Sequence, residues 1–198
     1  MPRSNPNDSR RQLGRILVDR SYLEAADEIY ALASGQKSRF YFDCKRTTLH
    51  APAIPFIGEL FLERIREERR GVRAVGGLTA GSDPIAFAIA RASLDSGEPL
   101  DAFSARKAPK DHGTRNWIEN CPEPGTRVAV VDDVATSGGS VINAIERCEK
   151  EGLQVVHVIV LVDREAGGLD KIRSYVAPGT PVEAIFTKTW LEGLPKRV

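Results

Sequence analysis

Apolar positions recur first at helical spacing and then in strand-like runs that alternate with helical ones. Leu13, Ile16 and Leu17 fall at i, i+3 and i+4 within Ser9–Leu23 and predict an amphipathic helix, after a Pro-, Asn- and Ser-rich start that reads as a frayed end. Two short strand-like runs, Ile29–Leu32 and Phe40–Asp43, flank the turn-prone Ser34-Gly35. Ile54, Ile57, Leu60, Phe61 and Ile65 share one face of a helix that ends near Gly71. Beyond it the pattern predicts strands at Ala74–Gly77, Leu100–Ala105, Arg127–Val131, Gln154–Val162 and Val182–Thr187. Helices are predicted between them at Pro84–Ser93, Gly139–Glu151 and Leu169–Tyr175, while Arg106–Pro124 is polar and has no clear period. Strands alternating with helices imply a doubly wound α/β fold, a parallel sheet covered on both faces. The first fifty or so residues, about 1–50, do not fit the alternation and read as a small cap or hood on a single domain, with the α/β core at about 51–190. In such sheets ligands sit beyond the carboxyl ends of the strands, where strand order reverses.

Composition narrows the classes of function. With 28 Lys and Arg against 27 Asp and Glu, the net charge of +1 lacks the basic excess of a nucleic-acid footprint. No apolar run approaches the ~18 residues of a membrane-spanning helix. Cys44, Cys121 and Cys148 are odd in number and form no Cys-x-x-Cys pair, so neither a disulfide framework nor a zinc site is indicated. With no secretory core at the N-terminus, the expectation is a cytoplasmic protein that engages neither nucleic acid nor membrane.

The richest segment is Arg127-Val-Ala-Val-Val-Asp-Asp-Val-Ala-Thr-Ser-Gly-Gly-Ser140. Its apolar run predicts a buried strand, and Asp132 and Asp133 are expected to emerge at the carboxyl end. Thr136, Ser137, Gly138, Gly139 and Ser140 then precede a helix, so backbone N–H groups and the positive end of the helix can converge on a phosphate. Gly138 and Gly139 allow close approach. The carboxylates repel phosphate but suit ribose hydroxyls or a hard divalent cation. Alone, an Asp-Asp pair is a solvated feature of a strand end; the whole run in strand-to-helix context is far more specific. No Gly-x-x-x-x-Gly-Lys-[Ser/Thr] occurs, which excludes a P-loop.

This run resembles the phosphoribosyl pyrophosphate signature of the type I phosphoribosyltransferases. Within them the chain resembles the orotate phosphoribosyltransferase family, through Ser34-Gly-Gln-Lys-Ser38 with Tyr41-Phe-Asp43, Gly76-Gly-Leu-Thr-Ala-Gly-Ser-Asp-Pro84, Arg106-Lys-Ala-Pro-Lys-Asp-His-Gly113 and Leu161-Val-Asp-Arg164. The matches span about residues 22–168. The resemblance implies magnesium-dependent transfer of a phosphoribosyl group from phosphoribosyl pyrophosphate to orotate, by a homodimer whose loop residues reach the neighbouring site. It carries the phosphoribosyl pyrophosphate site onto Asp132, Asp133, Val134, Ala135 and the Thr136–Ser140 loop, with Arg106, Lys107, Lys110 and His112 meeting the pyrophosphate and Lys110 foremost in catalysis. It carries the orotate site onto Thr136 and Arg164, with Tyr41 or Phe42 beside the ring; strand alternation lets only one of those two face the site. Magnesium would have no dedicated protein cage and would be held through the substrate, with Asp132 and Asp133 the side chains on hand.

The cation-rich Arg106–Gly113 loop has its own physical sense, because positioned cations stabilise a departing pyrophosphate once water is excluded. By composition it is equally a solvated charged loop, and Arg164 is equally a surface partner of Asp163 or Glu165. Many family members carry Lys immediately before the early Ser-Gly and a Tyr-Lys-Gly near the second strand; this chain has Ala33 and Ala80-Gly81-Ser82. Lys37, Lys45 and Arg46 are the candidates to replace the two missing cations, and the sequence does not choose among them. Other residues carry structural readings: His157 as an ordinary strand residue, His50 as a turn or cap, Cys148 as a small buried apolar group, and Arg10, Arg11, Arg15 and Arg20 as a solvated helix face. Competing functions are another purine or pyrimidine phosphoribosyltransferase, or a non-catalytic regulator that senses phosphoribosyl pyrophosphate.

Overall fold

A computed structural model describes residues 6–24, 30–31, 37–38, 40–108 and 117–195. The chain opens with α1 (Pro6–Ser21), β1 (Tyr22–Glu24), β2 (Tyr30–Ala31), β3 (Lys37–Ser38), β4 (Phe40–Phe42) and α2 (Lys45–Thr48). A 3-10 turn at Ala51–Ala53, whose N-cap is His50, leads into α3 (Ile54–Glu67). Then follow β5 (Ala74–Leu78), α4 (Asp83–Leu94), β6 (Asp101–Ala105), β7 (Ile118–Glu119), β8 (Arg127–Ala135), α5 (Gly139–Lys150), β9 (Gln154–Asp163), α6 (Gly168–Tyr175), β10 (Val182–Thr187) and α7 (Lys188–Glu192).

The six-stranded sheet has the order β10-β9-β8-β5-β6-β7. All neighbours pair in parallel except β7, which runs antiparallel to β6. The doubly wound architecture is therefore as the sequence predicts, with β7 added from the stretch that has no readable period; two residues are too few to show one. Alternation along the strands explains the two-sided burial. Ala129, Val131, Ile159 and Leu161 join the core under α3 and α4, while Val128, Val130, Val158 and Val160 join the core under α5 and α6. His157 is buried in β9, with Nε2 2.8 Å from Oε1 of Glu183, and Cys148 is buried in α5.

The N-terminal helix starts earlier than its polar composition suggests, at Pro6, because proline is tolerated in a first helical turn. It is also part of the main core: Leu13 and Leu17 are fully buried with Ile57 and Phe61 of α3. Arg10 departs from the solvated face expected of it. Its guanidinium lies 4.7 Å from the centroid of the Trp190 ring and 5.6 Å from that of Phe186, and donates to the Ile185 carbonyl oxygen at 3.2 and 3.1 Å. The cause is α7, a helix of five residues that the pattern does not reveal and that brings Trp190 against α1. Leu17→Ala is therefore expected to cost about 2–5 kcal/mol and to lower Tm by roughly 5–15 °C in one cooperative transition. An unchanged Tm in calorimetry would mean that α1 is not part of the core.

Candidate active site

β6 lies on one side of β5 and β8 on the other, so the crevice at the switch point opens between the carboxyl ends of β5 and β8. β8 is longer than expected. Asp132 pairs with Val160 and Ala135 with Asp163 on β9, whereas the last β5 partner is Gly76 opposite Val130. The acids thus sit within the strand rather than beyond it, because the long apolar β9 offers a template for four further residues, Asp132, Asp133, Val134 and Ala135. On the side that β5 vacates, the turn after β5 packs against them. A Cβ on Gly81 would lie 2.6 Å from Oδ1 of Asp132 and 2.8 Å from Oδ1 of Asp133, so any side chain there would have to displace the carboxylates. Asp83 fastens this turn, accepting from the Thr79 hydroxyl at 2.6 Å and from the Ser104 hydroxyl at 2.7 Å.

Asp132 and Asp133 are only 4% and 5% exposed. Oδ1 of Asp132 accepts from the backbone N–H of Asp133 at 2.9 Å, and Oδ2 accepts from the Ser140 hydroxyl at 2.8 Å. Nζ of Lys45, in α2, approaches Oδ2 of Asp133 to 3.6 Å. Burial, then the neighbouring Asp133, push the Asp132 carboxyl up to about 7. Burial also raises Asp133, against the opposing pull of Lys45. Two like charges in a low-dielectric pocket want a proton, a cation or hydroxyl donors.

The loop behind the pair has the expected shape. Gly138 caps α5 with φ of +75°, a left-handed backbone, and a Cβ there would meet the Gly168 carbonyl oxygen at 2.7 Å. α5 therefore starts at Gly139, and its first backbone N–H groups have no partner within the helix. Thr136 is half-buried and Ser137 exposed. Ser140 is exposed in the first turn of α5, with its hydroxyl bonded to Asp132. Arg164, half-buried just after β9, is brought to this end of the sheet by its N–H, which donates to the Ala135 carbonyl oxygen at 3.0 Å. The Glu165 carboxylate accepts from the N–H and hydroxyl of Thr189, at 2.7 and 2.6 Å.

Of the two aromatic candidates, Phe42 is buried edge-on against Tyr22, with centroids 5.0 Å apart, and alternation leaves Tyr41 exposed. Arg106 stands at the stem of the cationic loop, its N–H donating to the Trp117 carbonyl oxygen at 2.8 Å and its guanidinium paired with Glu119 at 2.9 Å. Lys107 is exposed. Lys110 and His112 lie outside the described residues, as do Ala33 and the early Ser34-Gly35.

A family model described as the phosphoribosyl transferase domain matches residues 47–190. An orotate phosphoribosyltransferase of Aquifex aeolicus is 40% identical over 177 residues, 89% of this chain and 94% of its own. The chain belongs to the orotate phosphoribosyltransferase family. Among solved structures of that family, an orotate phosphoribosyltransferase of Mycobacterium tuberculosis superposes with a TM-score of 0.79 at 34% identity, covering 94% of this chain and 99% of its own. The same enzyme in complex with phosphoribosyl pyrophosphate gives 0.73 at 30% identity, covering 95% of this chain and 93% of its own.

Against the family pattern, Gly81 now has a physical reason, since its turn closes on the acid pair. The Thr79–Asp83–Ser104 clasp is a site feature that a pass along the sequence leaves unassigned, although the Gly-Gly-Leu-Thr-x-Gly-x-Asp-Pro run marks its place. Lys45 is one of three cations that the sequence offers, and the fold places it beside Asp133. The acid pair also fixes a pH dependence. A carboxyl whose folded pKa is raised stabilises the fold only while it holds its proton. That contribution is present at acid pH and is lost as pH rises from the unfolded value through about 7. Asp132→Asn keeps both hydrogen bonds, with its amide oxygen accepting from Asp133 and its nitrogen donating to Ser140. It should match the wild type near pH 4 and exceed its Tm by roughly 4–10 °C at pH 8. Thermal melts across that range read the gap; a gap that does not grow with pH contradicts the buried-charge account.

Proposed function

We propose that the chain transfers the phosphoribosyl group from phosphoribosyl pyrophosphate to a ring nitrogen of orotate, giving orotidine 5′-monophosphate and pyrophosphate. It is a pentosyltransferase reaction, and it serves de novo synthesis of pyrimidine nucleotides, at the step that leads to UMP. The single observation that carries this reading is the pair of buried carboxylates beside an α5 N-terminus at the sheet's switch point, in a chain of this family.

Asp132 and Asp133 accept hydrogen bonds from the ribose 2′- and 3′-hydroxyls, which fixes the sugar and satisfies the buried charge. The backbone N–H groups of Thr136–Gly139 and the α5 dipole receive the 5′-phosphate. Arg164 pairs with the orotate carboxylate, and a bidentate contact of that kind favours orotate over uracil. Tyr41 and Thr136 lie beside the pyrimidine. As the C1′–oxygen bond to pyrophosphate breaks and the C1′–nitrogen bond forms, charge grows on the departing oxygen. Arg106, Lys107, Lys110 and His112 neutralise that charge, with Lys110 foremost. No protein nucleophile is needed; positioning and charge neutralisation supply the rate.

The donor set suits magnesium. No cluster of three or more potential ligands occurs among the described residues, while two buried carboxylates, one of them beside Lys45, lie at the crevice. A hard cation that keeps its waters and binds through substrate oxygens needs no more than that, and it would supply neutralisation of the pyrophosphate charge. We place the enzyme in the cytoplasm as a homodimer with loop residues shared between sites. Phe87 and Leu94, exposed on one face of α4, are consistent with a covered surface there.

Loss of orotate absorbance, with phosphoribosyl pyrophosphate and magnesium present, tests the reading. Arg164→Ala should raise KM for orotate by roughly 10–100-fold, and Lys110→Ala should lower kcat by about 100-fold, in a preparation with the mass of two chains by light scattering. Binding of phosphoribosyl pyrophosphate without orotate turnover would overturn it, in favour of another base or a sensor.

A further inference from the structure

The acid pair has a neighbour that the mechanism above does not use. Lys45 belongs to the N-terminal segment, yet its Nζ stands 3.6 Å from Oδ2 of Asp133, whose side chain is 8% exposed against 53% for that of Lys45. The contact is one-sided. An ammonium has three donors, and one carboxylate oxygen at this distance does not occupy all of them. Proximity to Asp133 raises the Lys45 pKa, which keeps the ammonium charged.

The placement of Lys45 is built into the fold. Directly before it, Cys44 is buried and the Asp43 N–H donates to the Ser21 carbonyl oxygen at 2.9 Å. After it, the Thr47 and Ser21 hydroxyls lie 2.6 Å apart in the interior, and the Arg20 guanidinium donates to the Arg46 carbonyl oxygen at 3.0 Å. α2 is thus pinned to the end of α1 on both sides of Lys45. The turn across the crevice, Ala80-Gly81-Ser82, carries no cation, and a side chain at position 81 would have to displace the carboxylates it closes on.

We infer that Lys45 is a positioning residue of the active site: it offsets the charge of the Asp132–Asp133 pair so that the polyanionic phosphoribosyl pyrophosphate can settle against it, taking the place of a cation from the Gly81 turn. The inference rests on the function proposed above. Of the three candidate cations, Lys45 is the one that an ion pair places against the acids; the side chain of Lys37 lies outside the described residues.

A charge that only prepares the pocket for the anionic substrate should act on that substrate's binding. Lys45→Met is expected to raise KM for phosphoribosyl pyrophosphate about tenfold or more, and to weaken its calorimetric affinity to match, while kcat and KM for orotate change less than about threefold. Lys45→Arg should restore KM to within about threefold of wild type, because it returns the charge. Arg46→Met, one residue along the same helix, serves as the control and should leave all constants in place. Melting curves of each variant separate loss of function from loss of fold. An unchanged KM for phosphoribosyl pyrophosphate in Lys45→Met, or an equal rise in Arg46→Met, overturns the inference. A wild-type enzyme without orotate turnover overturns the functional reading instead, and calorimetry with phosphoribosyl pyrophosphate then still decides the role of Lys45.

Discussion

Two adjacent carboxylates buried at the open edge of a strand constrain the rest of this molecule. Raising the Asp132 carboxyl from 3.8 to about 7 corresponds to a penalty on the order of 4 kcal/mol at neutral pH. That is a large part of the 5–15 kcal/mol or so that holds an ordinary domain together. The surrounding structure tolerates the penalty because each carboxylate has defined partners. The Asp133 N–H and Ser140 hydroxyl serve one, and Lys45 serves the other. What remains uncompensated is what a ligand with hydroxyls and a cation can supply, so the instability and the specificity have the same source.

Distant parts of the chain converge on that pair. β9 extends β8 far enough to hold both acids in the strand, and the β5–α4 turn closes tightly on them at Gly81. Gly138 and Gly168 approach closely enough to set the α5 N-terminus directly behind them. The N-terminal helix, which a pass along the sequence sets apart as a cap, belongs to the same construction. Arg10 seals it against Trp190 and Phe186 at one end, and Ser21 and Arg20 fix α2 at the other, which is how Lys45 arrives over Asp133.

The alternation from Ala74 onward made the doubly wound sheet legible, since each apolar run there is long enough to show its period. The Asp-Asp-Val-Ala-Thr-Ser-Gly-Gly-Ser run likewise carries its own local signal of a strand that turns into a helix. The misreadings share a cause: contacts across long sequence separations carry no local signal. Asp132 and Asp133 looked like residues beyond a strand because nothing near them announces that β9 will pair with them. The Ser140 hydroxyl, expected in the cradle, also reaches a carboxylate eight residues earlier, a bond that the local pattern does not announce. Arg10 looked solvated because Trp190 lies at the other end of the chain. Tyr41 and Phe42 were separable in principle by alternation, and packing against Tyr22 decided which one turns inward.

The central claim, that the ribose hydroxyls bind the ionised form of a buried acid pair and send its proton to solvent, is tested most directly by the protons that binding releases. Calorimetric titration with preformed magnesium–phosphoribosyl pyrophosphate, repeated near pH 6.5 in buffers of different ionisation enthalpy, counts them. Hydrogen bonds from the ribose hydroxyls favour the ionised carboxylates, so the wild type should release protons on binding, less so at pH 9, and Asp132→Asn should abolish most of the release. Binding with no proton release in the wild type, or with equal release in Asp132→Asn, would contradict the account.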